Sequence, residues 1–321
     1  MMKIKHVVLG TGAIGRAVAQ ELVEHGERVR MVNRSGKMDE IPAGVEVVAC
    51  DLYDPERVRE VTRGAKAVYQ SAQPAYQEWT VKFPHLQKSI LDGLTGSDAK
   101  LVLVENVYMY GDTQGRSMAE DLPYNAHTRK GRVRGEISSA AFAAHKEGRI
   151  RVTSARGGNY FGPWGTDSTM GGRVFHPLLR GKPAQLIGRT DLPHTHTYLK
   201  DFGAALVILG ERDEADGQVW HVPNDQPTMT QCELVRLFAQ EAGIEPKISS
   251  MGKAMMRIGG LFIPEARESV EMMYEFDKPF VIDSSKFEKT FGLKATPIRD
   301  AIKATVAWYK SHPLNSRQSP N

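Results

Sequence analysis

Cysteine is nearly absent from the 321-residue chain: Cys50 and Cys232 are the two it has, far apart and outside any Cys-x-x-Cys spacing. That scarcity argues against a disulfide framework or a zinc knuckle and fits a reducing cytoplasm. Long apolar runs are missing too. No stretch approaches the roughly 18 apolar residues that a membrane span requires. "MMKIKHVVLG" runs straight into a strand-like segment, without the apolar core or cleavage site of a leader. A strong charge of either sign is also lacking. Lys and Arg number 42 against 38 Asp and Glu, leaving +4. That excess is too small and dispersed for nucleic acid, but it suits an anionic small molecule. A soluble cytoplasmic protein with a small-molecule partner, and neither a membrane nor a nucleic-acid partner, is expected.

What is present is ordinary globular material, 41% hydrophobic and 25% charged, ample for one large domain or two moderate ones. The polar end "SRQSPN" alone reads as disordered, and no repeat or low-complexity block appears. In the first half, "KHVVLG", "RVRMVNR", "VEVVACDL", "AKAVYQSA" and "KLVLVENV" read as strands, and "IRVTSARGGNYFG" as a sixth. Helices fall between them: "AIGRAVAQELVEHG", "DPERVREVTRG" started by Asp54 and Pro55, residues 80–95 and residues 125–147. Strands apolar almost throughout, alternating with helices, predict an α/β fold with a doubly wound parallel sheet. After about residue 165 the pattern loosens. "YLKDFGAALVILGE" reads as a helix opened at Asp201, "TMTQCELVRLFAQEAG" as an amphipathic helix with a Thr cap, and "GQVWHVP" as a strand. "TPIRDAIKATVAWYKSHP" reads as another capped helix. The expected organisation is a nucleotide-binding domain over 1–165, with 195–225 returning to it, and a smaller mixed substrate lobe over 166–321.

"VLGTGAIG" places Gly10, Gly12 and Gly15 in a G-x-G-x-x-G pattern directly after a strand and at the start of a helix. There the glycines serve a tight turn, a close backbone approach to a pyrophosphate, and close packing of helix on strand. With Thr11, Ala13 and Ile14 they form the expected phosphate cradle, because a helix N-terminus offers free N–H groups and the positive end of its dipole. A free ribose 2′-hydroxyl usually meets an Asp or Glu about 20 residues further on. Asn33, Arg34 and Ser35 stand there instead, with Lys37 just beyond. Arginine pairs with a 2′-phosphate and a carboxylate repels it, so NADP is expected in preference to NAD. The competing reading leaves Arg34 as a solvated loop residue. "CDLYD" puts Asp51 where a carboxylate can meet the adenine amine, with Leu52 against the ring; Asp51 serves equally well as a strand terminator.

These stretches, with "NVYMYGD", "SARGGNYFGP" and "TYLKDFGAAL", fall in the order and spacing of extended short-chain dehydrogenases/reductases. The chain resembles an atypical member of that NAD-dependent epimerase/dehydratase group over most of its length. The resemblance implies a Rossmann-type sheet, a bound nicotinamide dinucleotide, a C-terminal lobe closing over substrate, and a homodimer formed through helices on the sheet. It carries cofactor contacts to Ser71, Ala72 and Gln73 after the fourth strand, and to Asn159 and Tyr160 in the loop beside the nicotinamide. Two departures bear on mechanism. The family's Ser or Thr four residues before the "YG" tyrosine is Asn106 here, which donates a hydrogen bond but relays no proton. The family's Tyr-x-x-x-Lys pair, whose lysine lowers a phenol pKa from about 10 toward neutrality, is missing. With Lys130 as that lysine, the tyrosine position is Ala126.

Tyr124 lies six residues before Lys130, on a different helical face, but it can reach the site from a preceding loop. Tyr124, Lys130 and Asn106 are the expected catalytic groups. Lys130 is also a candidate for the nicotinamide ribose, against the alternative of a solvated helix lysine. Arg129, Arg132 and Arg134 share no single face and read as a solvated or ion-paired surface. His127 reads as a surface residue; Tyr108 and Tyr110 either flank the nicotinamide or pack. His194 and His196 lack the further ligands that a metal needs; no metal is expected, and a substrate-lobe contact is the better reading. Trp164 is a candidate pocket wall. The leading expectation is an NADP-dependent oxidoreductase, or an epimerase/dehydratase-like enzyme, acting by hydride transfer on a small organic substrate. The rival is a non-catalytic NADP-binding sensor or regulator that has lost the Tyr-x-x-x-Lys pair.

Overall fold

The computed structural model describes residues 4–259, 268 and 270–314; the polar end 316–321 lies outside them. Strands β1 (His6–Leu9), β2 (Val29–Asn33), β3 (Val45–Ala49), β4 (Ala67–Gln70), β5 (Lys100–Glu105) and β6 (Arg151–Arg156) arise from the six expected apolar runs. Three short strands follow, β7 (Asn159–Phe161), β8 (Ala184–Ile187) and β9 (His196–Tyr198). Then come β10 (Val219–His221) and β11 (Ile248–Met251). Seven of these form one sheet in the order β10-β6-β5-β4-β1-β2-β3, with every pairing parallel. From β1 the chain winds outward through β2 and β3, then crosses back to β4 on the other side. That reversal leaves a crevice beyond the strand ends, the usual binding place in such sheets.

Burial explains why the strands read as continuous apolar runs. Along β1, Val7 and Leu9 join a core with α2 (Pro55–Thr62), α3 (Trp79–Leu94) and α4 (Arg129–Lys146) on one face. Val8 joins the opposite core with α1 (Ala13–Glu24) and α6 (Leu199–Glu211). Successive strand residues point to opposite faces, so a sheet covered twice keeps few polar positions. A third core gathers Phe175 of α5 (Gly172–Leu179), Phe238 of α7 (Gln231–Ala242) and Tyr309 of the helix Ile298–Ser311. No described helix is long and apolar enough to cross a membrane.

Helix starts follow their capping chemistry, with instructive exceptions. Asp54 Oδ1 accepts from the N–H of Glu56 at 2.9 Å and of Arg57 at 3.3 Å, and Thr230 forms a reciprocal capping box with Glu233. Thr128 caps α4 by accepting from Gly131 N–H at 3.1 Å, so the helix begins at Arg129 rather than at 125. Asp201 does not open α6, which starts two residues earlier. Its carboxylate accepts instead from the N–H of Thr296 at 2.9 Å and from its hydroxyl at 2.6 Å. The same bonds take Thr296 away from capping Ile298–Ser311, which starts after Pro297 with no side-chain cap. Two expected caps have paired with each other, tying α6 to the C-terminal segment.

Candidate functional site

A cleft of about 770 Å³ lies beyond the C-terminal ends of the strands and is lined along one side by Gly10 to Gly15. Each glycine has a distinct steric reason. Gly10 has φ +118°, and a Cβ there would stand 2.6 Å from Ser71 Oγ and 2.8 Å from Ala72 N. A Cβ on Gly15 would stand 2.4 Å from the Gly10 carbonyl oxygen, so this glycine lets α1 pack on the turn. A Cβ on Gly12 would meet nothing within 4 Å: here the backbone faces open space. Gly12 also brings no side-chain cap to α1, so the first N–H groups of the helix remain available to an anion.

Further along the cleft stand Asn33, Arg34, Asp51 and Leu52. Asn33 organises its loop: Nδ2 donates to Thr11 Oγ1 at 3.0 Å and to Lys37 O at 2.7 Å, while Oδ1 accepts from Gly36 N–H at 2.7 Å. Arg34 is exposed at the cleft wall. Ser35 does not line the cleft; its hydroxyl donates to Asn33 Oδ1 at 3.2 Å. Asp51 accepts from Tyr53 N–H at 3.1 Å, a turn-closing bond that also serves the strand-terminator reading. Ser71, Ala72 and Gln73 line the middle, beside Gln70 and Gln87. Gln70 Oε1 and Gln87 Nε2 are buried without partners. Gln70 Nε2 donates to Gln87 Oε1 at 2.9 Å, and the unused amide atoms of these lining residues suit a hydroxyl- or amide-bearing ligand. With the open Gly12 face, they fit a dinucleotide.

At the inner end, Asn106, Tyr108, Arg134, Asn159, Tyr160 and Trp164 line the cleft. Asn106 Oδ1 accepts from Tyr108 N–H and from Arg134 Nε, both at 3.2 Å. Both partners are donors, which fixes the amide orientation and leaves Nδ2 as the free donor. Arg134 is 4% exposed. It also donates to Val104 O at 3.1 Å and lies over the rings of Trp79 and Phe83. The surface reading of the arginines is corrected here: Arg129 and Arg132 are exposed, but Arg134 is a cleft residue. His194 and His196 stand behind the Asn159 loop, the first buried and the second half-buried, and desolvation lowers both below their ordinary value. His194 Nε2 bonds the Asn159 amide at 2.8 Å, so this histidine supports the loop and does not line the cleft.

Two expected catalytic groups do not reach the cleft. The Tyr124 hydroxyl bonds Ser138 Oγ at 2.9 Å and accepts from Arg156. Arg156 is fully buried and also pairs with Glu105 at 3.0 Å and donates to Tyr110 at 2.7 Å. The phenol is one vertex of a structural network behind β5 and β6. Lys130 is 1% exposed; its Nζ pairs with Glu268 at 2.6 Å and lies 4.3 Å from the Tyr76 ring centre. Although burial pushes the Glu268 carboxyl up, Lys130 and Arg129 hold it below the ordinary value. Lys130 therefore fastens Glu268 to the start of α4, and Glu271, in the described stretch 270–276, accepts from the N–H groups of Arg129 at 2.9 Å and Lys130 at 3.3 Å.

That segment also brings in groups the sequence did not reveal. Met272, Met273, Glu275 and Phe276 form the cleft wall opposite Tyr76 and Tyr108. Burial pushes Tyr76, Tyr108 and Tyr160 above the usual phenol range, so none of these phenols is primed for proton exchange near neutrality. The spacing did hold one signal: Lys130 and Arg134 are one helical turn apart and both turned inward.

Residues 7–222 match the model of the NAD dependent epimerase/dehydratase family. The chain belongs to that family, whose members include epimerases, dehydratases and reductases that use a nicotinamide dinucleotide. It is similar to dTDP-glucose 4,6-dehydratase of Streptomyces griseus, with 24% identity over 230 residues, 71% of this chain but 64% of that protein. It is equally similar to 2-alkyl-3-oxoalkanoate reductase of Shewanella oneidensis, 24% identical over 272 residues, 76% of this chain and 68% of that one. Among solved structures, UDP-glucuronic acid 4-epimerase of Bacillus cereus in complex with NAD superposes with a TM-score of 0.76 at 15% identity, covering 96% of this chain and 99% of that one. At that identity the likeness shows the fold.

Proposed function

We propose that the chain is an NADP-dependent oxidoreductase acting on a small organic carbonyl compound or its alcohol. The observation that carries this reading is the continuous cleft from the open Gly12 backbone to the free amide of Asn106. When bound, the dinucleotide supplies or accepts the hydride. Gly10, Thr11, Gly12, Ala13, Ile14 and Gly15 cradle the pyrophosphate, with the N–H groups at the start of α1 turned to it while that of Gly10 stays bonded to Val32 O at 2.8 Å. Arg34, positioned by the loop that Asn33 and Ser35 organise, pairs with a 2′-phosphate. Asp51 and Leu52 take the adenine; Ser71, Ala72, Gln73, Asn159 and Tyr160 take the nicotinamide half. Asn106 donates Nδ2 to the substrate oxygen, and Arg134 is its positioning residue. Tyr124 and Lys130 support the walls from outside the cleft.

The absence of any downward-shifted phenol in the cleft favours the rival reading, a nucleotide-binding sensor. A panel of ketones and aldehydes incubated with NADPH, followed by nicotinamide absorbance, separates the two. Turnover is expected, with Asn106→Ala lowering kcat about tenfold or more and Tyr124→Phe changing it by less than about threefold. Tight NADPH binding without turnover across the panel supports the sensor.

A further inference from the structure

We propose that Glu275 is a substrate-binding residue, a neutral carboxyl donating a hydrogen bond to the carbonyl oxygen of an uncharged, largely apolar substrate. The proposal rests on the oxidoreductase reading above and adds to it the chemical class of the substrate. Glu275 is 3% exposed yet lines the cleft. Its Oε1 is enclosed and has no hydrogen-bond partner. Its chain neighbours Met272, Met273 and Phe276 are buried with Met256 in one apolar cluster or beside it. Methionines make a wall that adapts to irregular aliphatic or aromatic shapes.

An ionised carboxylate in that setting is strongly disfavoured, since no cation repays its lost hydration. Burial pushes the carboxyl up to about 8, with no charged neighbour acting on it. Facing it are the phenols of Tyr76 and Tyr108 from the opposite wall and Tyr274 beside it, all held above their ordinary range and therefore uncharged. Charged groups act on those phenols in turn: Glu268, paired with Lys130, and Glu271 on Tyr76, and Asp112 and Glu271 on Tyr274. A neutral acid in a dry wall keeps one O–H donor that nothing in the protein uses. Buried donors are rarely left idle, and a substrate carbonyl is the acceptor that the cleft can bring. A nucleotide sugar, named in the relatives above, would bring a hydroxyl-rich ring to that methionine wall.

The test uses the full chain and has two separate readouts. Fluorescence titration of NADPH against wild type, Glu275→Gln and Glu275→Leu examines the nucleotide reading; all three should agree within about twofold. Calorimetric titration of acetophenone and of UDP-glucose into protein saturated with oxidised NADP examines the carboxyl. Acetophenone should bind in preference to UDP-glucose. Glu275→Leu should weaken acetophenone about tenfold, and Glu275→Gln, which still donates, by less than about threefold. Wild-type affinity should fall as pH rises through about 8, while the Gln variant stays flat. In the infrared, the protonated-carboxyl C=O band absent from Glu275→Gln should shift when acetophenone binds wild type. UDP-glucose binding the more tightly, an unchanged Leu variant, a flat wild-type pH profile or an unmoved band would each overturn the assignment. Lost NADPH binding, with acetophenone still bound by the nucleotide-free protein and weakened by Glu275→Leu, would count against the nucleotide reading alone.

Discussion

Gly12 and Gly15 differ by three positions and by their reasons for lacking a side chain. Around Gly15 the space is already filled by the Gly10 carbonyl, whereas Gly12 faces a void. Gly15→Ala should therefore destabilise the fold by about 1–3 kcal/mol through overpacking. Gly12→Ala should stay within about 1 kcal/mol of wild type and still weaken NADPH at least about tenfold, by filling the space of the phosphates. Thermal unfolding and NADPH titration on the same pair of variants read both effects. Such residues were legible in the sequence because their constraint is local: a turn, a strand end, a helix start. Arg134 and Glu275 were not legible, because their burial is decided by segments far along the chain. No spacing rule says that Glu268 and Glu271 will pair with the start of α4.

The stretch 270–276 and α4 form the element on which the expectations about catalysis turned. The local pattern predicts a helix from 125, which would carry Ala126 and Lys130 one turn apart, but Thr128 starts it at Arg129. With that start, the inward pair one turn apart is Lys130 and Arg134, two cations with no phenol between them. Lys130 then acts as a fastening. Lys130→Met should leave Glu268 short of its closest partner and lower stability by about 1–3 kcal/mol, with Arg129 retaining part of the pairing. Limited proteolysis should cut within 270–277 faster in that variant, and NADPH affinity should be little changed because Lys130 lies outside the cleft. The caps divide the same way. Asp54 and Thr230 behave as local sequence dictates, whereas Asp201 and Thr296 found a stronger long-range partner in each other.

At the scale of the molecule, the doubly wound parallel sheet was readable from strands that are apolar along their whole length. The order of those strands, and the place of β10 beside β6, are set by long-range pairings that no local pattern encodes. The buried titratable groups set a pH profile with two opposing slopes. His196 and His221 are pushed down to about 4 by burial, and His194 well below its ordinary value. Between pH 6.5 and 4 the native state holds fewer protons than the unfolded chain, so stability should fall as pH drops across that window. Glu275 acts the other way. From its ordinary 4.5 up to about 8 the native state keeps a proton that the unfolded chain has lost, so stability should fall as pH rises through that range. Chemical denaturation across pH should show both slopes, and Glu275→Gln should remove only the alkaline one.

The cleft is proposed to be a dinucleotide site that selects the 2′-phosphate. Equilibrium titration of NADPH and NADH, side by side, into wild type and Arg34→Ala tests it most directly. NADPH should bind wild type at least about tenfold more tightly than NADH, and Arg34→Ala should erase that preference by weakening NADPH alone. Equal affinities in the wild type would contradict the choice of NADP, and no binding of either nucleotide would contradict the site itself.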